Sequence, residues 1–388
     1  MDSRPKVNKT ILINLRLLQN PYTGVQSYVY NLVKALVQAS PKTEFRVAVF
    51  SYDGKNEYIE DLLANKNVSL ENIPGHRNIF TEILFDHLYV LKAMGGVGVY
   101  FSPVNILPLF RKKDVKYVVG VLDLCTFIVP ETTTRQLKLY YDLVLSPSLK
   151  RADQIITISD NTKKDLRRLF KLDKAKITTI PLGVDEDTGK SSHITESQIW
   201  RILKKIHLNE EDKYFLTAGT SIRKNVDSAL KAFDIFCETK KDAKLVIVVK
   251  DPEMIDYIGA LLKKTKHAGK VILTGRYITK TELMALYTKA IAFVYCSYYE
   301  GFGLPVLEAM QNKCPVIASN TSSLPEVVGA SGILVDPLDT NQISDAMHQI
   351  DNDHTLRSEL IKKGLEKVKE FSWAKTAGRL LHILDKVI

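Results

Sequence analysis

Cysteine is scarce and dispersed in this sequence: Cys125, Cys237, Cys296 and Cys314 are the only four in 388 residues, and no two form a C-x-x-C pair. That spacing offers neither a disulfide framework nor a zinc ligand set, and a reducing cytoplasm is the natural setting. No apolar run approaches the roughly 18 residues needed to span a bilayer. Met1 to Lys9 is polar where a signal peptide would carry an apolar core, so cytoplasmic location is the expectation. Internal repeats and low-complexity tracts are missing, which excludes solenoids and arrays. The basic residues alternate with acids and have no interleaved aromatic platform, which argues against a nucleic-acid partner.

What is present is an ordinary globular composition, 45% apolar and 25% charged, in a chain long enough for two cores. The net charge of +10 lies mostly in the first half, in groups such as Arg111, Lys112, Lys113 and Lys116, and Lys163, Lys164, Arg167, Arg168 and Lys171. A solvated helix face is the plain reading of such groups. The functional one is attraction to an anionic membrane surface or a phosphorylated ligand, at the inner face of the membrane.

The chain is organised around Ile291 to Glu308. Ile291 to Tyr295 is an apolar run suited to a parallel strand covered on both faces. Gly301 and Gly303 allow a sharp turn and close approach of a ligand, and Pro305 suits the first turn of a helix. The amides of about Phe302, Gly303 and Leu304 would then face an anion at a helix N-terminus. Glu300 beside a phosphate makes sense as an acceptor for neutral hydroxyls, and Glu308 lies further along the helix. A ligand carrying both a diphosphate and polyols fits. A plain strand-to-helix turn with solvated glutamates fits an isolated E-G-F-G equally well.

The longer pattern is Glu300 and Glu308, then Cys314-Pro315-Val316-Ile317-Ala318-Ser319, Ser323-Leu324-Pro325-Glu326, Gly332 and Asp336-Pro337. As a whole it resembles the signature of retaining GT-B glycosyltransferases, the large family-four group. The resemblance implies that Glu300 binds hydroxyls of the transferred sugar, Glu308 holds the nucleotide ribose, and the amides of Gly301, Phe302, Gly303 and Leu304 hold the diphosphate.

The first half opens with a strand expected over Lys9 to Leu18, a turn at Asn20 to Gly24 and a long amphipathic helix. Gly24 resembles the glycine loop lining the family's acceptor cleft, and an N-cap glycine is the alternative. Strands are expected over Phe45–Phe50, 98–103, Tyr117–Leu124, Ala152–Ser159 and Lys176–Pro181, and a helix over Phe80–Ala93. Asp123, at the carboxyl end of its strand, faces the ligand crevice of such a sheet and is a candidate contact, or else a cap of the next turn. Position 122 is leucine where the family commonly has histidine. Asp185-Glu186-Asp187 and Asp351-Asn352-Asp353 match D-x-D, a pattern too short to indicate a metal, and no metal or cofactor is expected.

A polar stretch from Glu186 to Ser192 reads as a linker, followed by a helix over Ile194–Leu208. The second half begins with the strand Tyr214 to Thr220 and the turn Ser221-Ile222-Arg223-Lys224-Asn225. Arg223 and Lys224 are placed for phosphate oxygens, and the family has Arg-Lys-Asn here, with the lysine on the diphosphate. Gly219 and Thr220 join this donor-binding set, although the family often has arginine where Thr220 stands. Arg276 stands in Gly275-Arg276-Tyr277, which resembles the loop that packs on the nucleotide base, and a plain surface charge fits it equally well.

Strands and helices alternating twice over imply an α/β architecture of two doubly wound parallel sheets, the GT-B fold by resemblance, with the domains facing across a cleft. The expected domains are 1–185 with the terminal helix 373–388, a linker and helix at 186–209, and a donor domain at 210–372. The expected activity is retaining transfer of a hexose from a nucleoside diphosphate sugar. General likeness to mannosyltransferases of bacterial surface polysaccharides points to GDP-mannose and a glycan or lipid-linked acceptor. Arg223 and Lys224 would stabilise the leaving diphosphate and Glu300 orient the sugar, with Asp123 on the acceptor side. A sugar-nucleotide epimerase or phosphorylase, and a non-catalytic sugar-nucleotide binder, are the alternatives.

Overall fold

The computed structural model describes residues 10–20, 24–76, 78–184 and 194–388. The turn residues Pro21 to Thr23, the triplet Asp185-Glu186-Asp187 and the polar linker from Glu186 to Ser192 lie outside the described residues. The chain divides into two units, Met1–Leu124 with Arg135–Gly183 and Ser372–Ile388, and Cys125–Thr134 with Val184–Phe371. The helix expected after the linker is Glu196–Lys204, capped by Thr195 with a reciprocal bond from Gln198, and it counts with the second unit.

The first unit holds β1 (Ile11–Asn14), β2 (Phe45–Phe50), β3 (Val68–Ile73), β4 (Val99–Ser102), β5 (Lys116–Val121), β6 (Gln154–Thr157) and β7 (Ile177–Thr179). They form one sheet in the order β3-β2-β1-β4-β5-β6-β7, parallel throughout. β1, β4 and β5 are almost wholly buried, which is why their sequences are apolar without alternation. β3 is different. It is a half-exposed edge strand with Ser69, Glu71 and Asn72 among its residues, a pattern without the apolar run that marks the central strands.

Two expectations in this unit need correction. The strand expected over Lys9 to Leu18 ends at Asn14, and Arg16–Gln19 is a 3-10 turn, because Arg16 leaves the sheet to meet carboxylates at Glu82 and Asp86. The helix expected over Phe80–Ala93 is an α-helix, Ile79–His87, followed by a 3-10 helix, Tyr89–Met94. The helix Arg135–Arg151, with Pro147 inside it, lacks a strong apolar stripe and was not expected from the sequence. The terminal helix Trp373–Val387 packs on Gly24–Ala39 in this same unit. Gly183 admits it, since a Cβ there would meet the Trp373 nitrogen at 2.2 Å.

The second unit contains β8 (Lys213–Ala218), β9 (Ala243–Val248), β10 (Val271–Leu273), β11 (Phe293–Tyr295), β12 (Val316–Ser319) and β13 (Ile333–Val335). Their order is β10-β9-β8-β11-β12-β13, again all parallel. Phe215, Phe233 and Phe236 pack at the centre of its core. Both sheets therefore reverse their direction of winding beside their first strand, between β1 and β4 and between β8 and β11. In a doubly wound sheet the ligand crevice opens at the carboxyl end of that reversal.

Candidate functional site

At the β8–β11 reversal, the segments leaving the two strands are tied together. After β8 comes a 3-10 turn, Ile222–Lys224, and after β11 comes the loop to Gly303. The Tyr298 amide donates to the Arg223 carbonyl at 3.0 Å, and Arg223 Nη1 donates to the Tyr299 carbonyl at 3.1 Å. Lys224 Nζ donates to Glu300 Oε1 at 2.7 Å and also to the Tyr295 hydroxyl, with the Tyr295 ring 4.7 Å away. The Tyr295 hydroxyl donates to the same Oε1 at 3.0 Å, and Arg223 Nη1 lies 3.4 Å from Oε2.

Glu300 is buried, its side chain 7% exposed. Burial alone would push its carboxyl up, but the Lys224 ammonium and then the Arg223 guanidinium outweigh this and hold it below the ordinary carboxylate value. Tyr295 moves the other way, raised by burial and then by the negative charge of Glu300, and it stays a neutral donor. The result is a buried carboxylate with two cations held side by side at the mouth of the crevice.

The loop beyond Glu300 is clamped from outside. Ser323 Oγ donates to the Glu300 carbonyl at 2.8 Å and to the Phe302 carbonyl at 2.9 Å, and Ser322 Oγ accepts from the Glu300 amide at 3.0 Å. Gly303 then turns at φ +112° into the helix Leu304–Gln311, with Pro305 in the first turn and no side chain capping the N-terminus. Pro305 has no N–H and the Val306 amide donates to the Gly303 carbonyl at 3.0 Å, so at this N-terminus the Leu304 amide is the one left to a ligand, and Gly301 to Gly303 are buried beside it. Glu308 is half-buried on the same helix.

Asn225 completes the frame. It takes a left-handed conformation (φ +52°), caps the helix Val226–Thr239 by accepting from Ser228, and donates to the carbonyls of Cys296 at 3.0 Å and Pro337 at 2.7 Å. One side chain thus joins the segments after β8, β11 and β13.

The structure brings Arg223, Lys224 and Glu300 into contact and sets Gly301, Phe302, Gly303 and Leu304 directly after them. Gly219 is buried where a Cβ would lie 2.8 Å from both Ile247 and Ile258, so close packing already requires glycine there. Thr220 is exposed. Arg276 is engaged elsewhere: its guanidinium grips Glu282 at 2.8 and 3.1 Å, and Glu282 in turn accepts from Thr279 at the start of its helix. Asp123 follows β5 and is half-buried, and the amide of Leu122 beside it donates to Asn105 Oδ1 at 3.3 Å. Gly24 begins the helix Gly24–Ala39, exposed, with space for a Cβ, so nothing in the fold requires glycine at that position. Asp351 pairs with Lys240 and Asp353 caps the helix His354–Val368, which gives that triplet structural work.

Sequence reasoning passed over four residues of the site: Tyr295, Asn225, Ser322 and Ser323. Tyr295 reads as one more aromatic in a buried strand, and its hydroxyl partner shows only in three dimensions. Asn225 and Ser323 stand inside quoted motifs, where a polar residue directly before a helix was the available signal.

Comparison with known proteins bears on the family and the fold. The family described as glycosyl transferases group 1 matches residues 198–367, and glycosyltransferase family 4 matches residues 22–188. An Escherichia coli protein named O-antigen chain mannosyltransferase B is 34% identical over 371 residues, covering 92% of this chain and 94% of its own. O-antigen chain mannosyltransferase RfbU of Salmonella typhimurium is 27% identical over 265 residues, 68% of each chain. Among solved structures, sucrose-phosphate synthase from Thermosynechococcus elongatus superposes with a TM-score of 0.76 at 20% identity, covering 97% of this chain and 98% of its own, a likeness of fold.

Proposed function

This chain belongs to the glycosyl transferases group 1 family, a glycosyltransferase of GT-B fold, and from that premise we propose that it is a retaining hexosyltransferase carrying mannose from GDP-mannose to a glycan or lipid-linked acceptor in surface polysaccharide assembly. The observation that carries the reading is the contact of Lys224 and Arg223 with Glu300 beside an uncapped helix N-terminus. Negative charge grows on the diphosphate as the bond from sugar to oxygen breaks, and donors fixed beforehand at that place stabilise it. Lys224 and Arg223 are held in advance by Glu300, so a diphosphate would meet an assembled cationic pair. Glu300, relieved of part of that pairing, would accept from sugar hydroxyls, and Glu308 would hold the ribose. Two cations and a helix N-terminus supply the charge a metal would otherwise bring, and we propose that none is required. The names of the relatives support mannose and the polysaccharide setting.

The acceptor would be met at the cytoplasmic face of the membrane. Among the described residues no helix is long and apolar enough to cross a bilayer. The first unit, however, exposes Leu109 and Phe110 immediately before Arg111, Lys112 and Lys113, and Leu139 and Leu143 on the helix Arg135–Arg151. Arg111 donates to the Arg151 carbonyl at 2.9 Å, which sets the two segments together. Apolar tips flanked by cations suit an anionic lipid surface.

A thermal-shift screen with GDP, UDP, dTDP, ADP and their sugars, in chelator, on wild type and Glu308→Ala tests the donor site. A nucleotide at 100 times its dissociation constant stabilises by about 2.7 kcal/mol. Stabilisation by GDP and GDP-mannose that Glu308→Ala abolishes is the expected result. A shift with another nucleotide overturns the choice of donor, and no shift with any overturns the donor site.

A further inference from the structure

The first sheet has its own reversal, between β1 and β4, and a cavity of about 180 Å³ opens there. Its polar wall is a buried ion-paired cluster. Arg16 Nε and Nη2 donate to the two oxygens of Asp86 at 3.0 and 2.6 Å, and Nη1 donates to Glu82 at 2.8 Å. Asn14 Nδ2 fixes Asp86 from the other side, at 3.1 Å, and also reaches the Tyr100 hydroxyl at 3.1 Å. The lining also carries Tyr140 and Tyr141, their rings edge to face at 5.8 Å.

We propose that this cavity holds one uncharged sugar unit of the acceptor through its hydroxyls, with Arg16, Glu82 and Asp86 as hydrogen-bonding partners and Tyr140 as a platform for the ring. The proposal rests on the glycosyltransferase reading above and gives its acceptor a place and a chemistry. A guanidinium has five N–H donors, and the bonds among the described residues use three of those on Arg16. Two donors and two carboxylates thus share one wall, the mixture that matches vicinal hydroxyls, which both donate and accept. The aromatic wall suits the apolar C–H face of a sugar ring. Glu82 and Asp86 put two carboxylates on the lining, which favour a neutral hydroxyl over a phosphate. The volume is small beside the roughly 300–1,000 Å³ of pockets that enclose drug-sized ligands, which suits a single ring.

The test is saturation-transfer NMR on the full chain without nucleotide, with methyl α-mannoside, methyl α-glucoside and mannose 6-phosphate as probes. Wild type is compared with Glu82→Gln and Tyr140→Leu, each first checked to be folded at the assay temperature. A neutral hexoside should bind wild type. It should bind about tenfold more weakly to Glu82→Gln, the loss of one charge-assisted hydrogen bond, and more weakly to Tyr140→Leu, which lacks the aromatic platform. Mannose 6-phosphate should bind less well than the hexosides. The proposal is overturned if no hexoside binds, if both Glu82→Gln and Tyr140→Leu bind as wild type does, or if the phosphorylated sugar binds more tightly. None of these readings depends on the donor, so failure of the nucleotide screen and failure of this site are separate results.

Discussion

Lys224 Nζ lies 2.7 Å from Glu300 Oε1, across 76 positions of sequence, with Glu300 buried and the Lys224 side chain 12% exposed. Removing one member of a buried pair leaves the other charge without its partner, which costs about 3–5 kcal/mol, whereas removing both costs less. Lys224→Met should therefore be less stable than the double variant Lys224→Met/Glu300→Gln, as read by urea midpoints. Turnover should fall on the order of 10²–10³-fold in either, since the cation proposed to stabilise the leaving group is lost from both. A double variant less stable than the single one overturns the account of the pair.

Gly303 is fixed by two independent constraints. Its φ of +112° is a conformation that side chains avoid, and a Cβ would come 2.6 Å from Leu324 Cδ2. Gly303→Ala should destabilise by at least about 1 kcal/mol and weaken nucleotide binding, because the helix N-terminus must move. Gly24→Ala, where a Cβ has space, should leave the unfolding midpoint within experimental scatter. Equal effects in the two variants would contradict this.

The Arg276 guanidinium, followed by the opposing effect of burial and by bonds from Thr279, pushes the Glu282 carboxyl down to about 2 from an ordinary 4.5. A carboxyl lowered on folding adds stability that is present above its unfolded value and is lost as pH falls toward its folded one. Arg276→Met should thus lower the unfolding midpoint at pH 7, with a gap from wild type that narrows below about pH 4.5. A gap that persists unchanged at pH 3 would exclude this ion pair as its source.

Membrane contact is checked by vesicle sedimentation with and without an anionic phospholipid. Each lysine near such a surface contributes about 1 kcal/mol, so Lys112→Ser/Lys113→Ser should bind at least about tenfold more weakly to anionic vesicles. Phe110→Ser should weaken binding that survives added salt. Equal sedimentation of wild type with neutral and anionic vesicles would sink the electrostatic part of the proposal.

The sequence by itself determined the architecture and the position of the glycine turn after β11. Apolar runs of strand length alternating with amphipathic stretches are local patterns, and the strand, glycine turn and helix from Ile291 to Glu308 follow from side-chain chemistry within eighteen successive positions. Where the local pattern was weak, it misled or said nothing: β3 is a half-exposed edge strand, the helix Arg135–Arg151 has no clear apolar stripe, and Arg16 ended a strand early to reach carboxylates 66 and 70 positions away. Only the tertiary structure decided which residues meet. Strand order places β8 beside β11 although about eighty residues separate them, and that adjacency joins Lys224 to Glu300, lets Asn225 tie three segments, and leaves Arg276 bound to Glu282. Periodicity reports what one segment buries; a contact across a parallel sheet depends on the crossovers between strands, and no single segment encodes it.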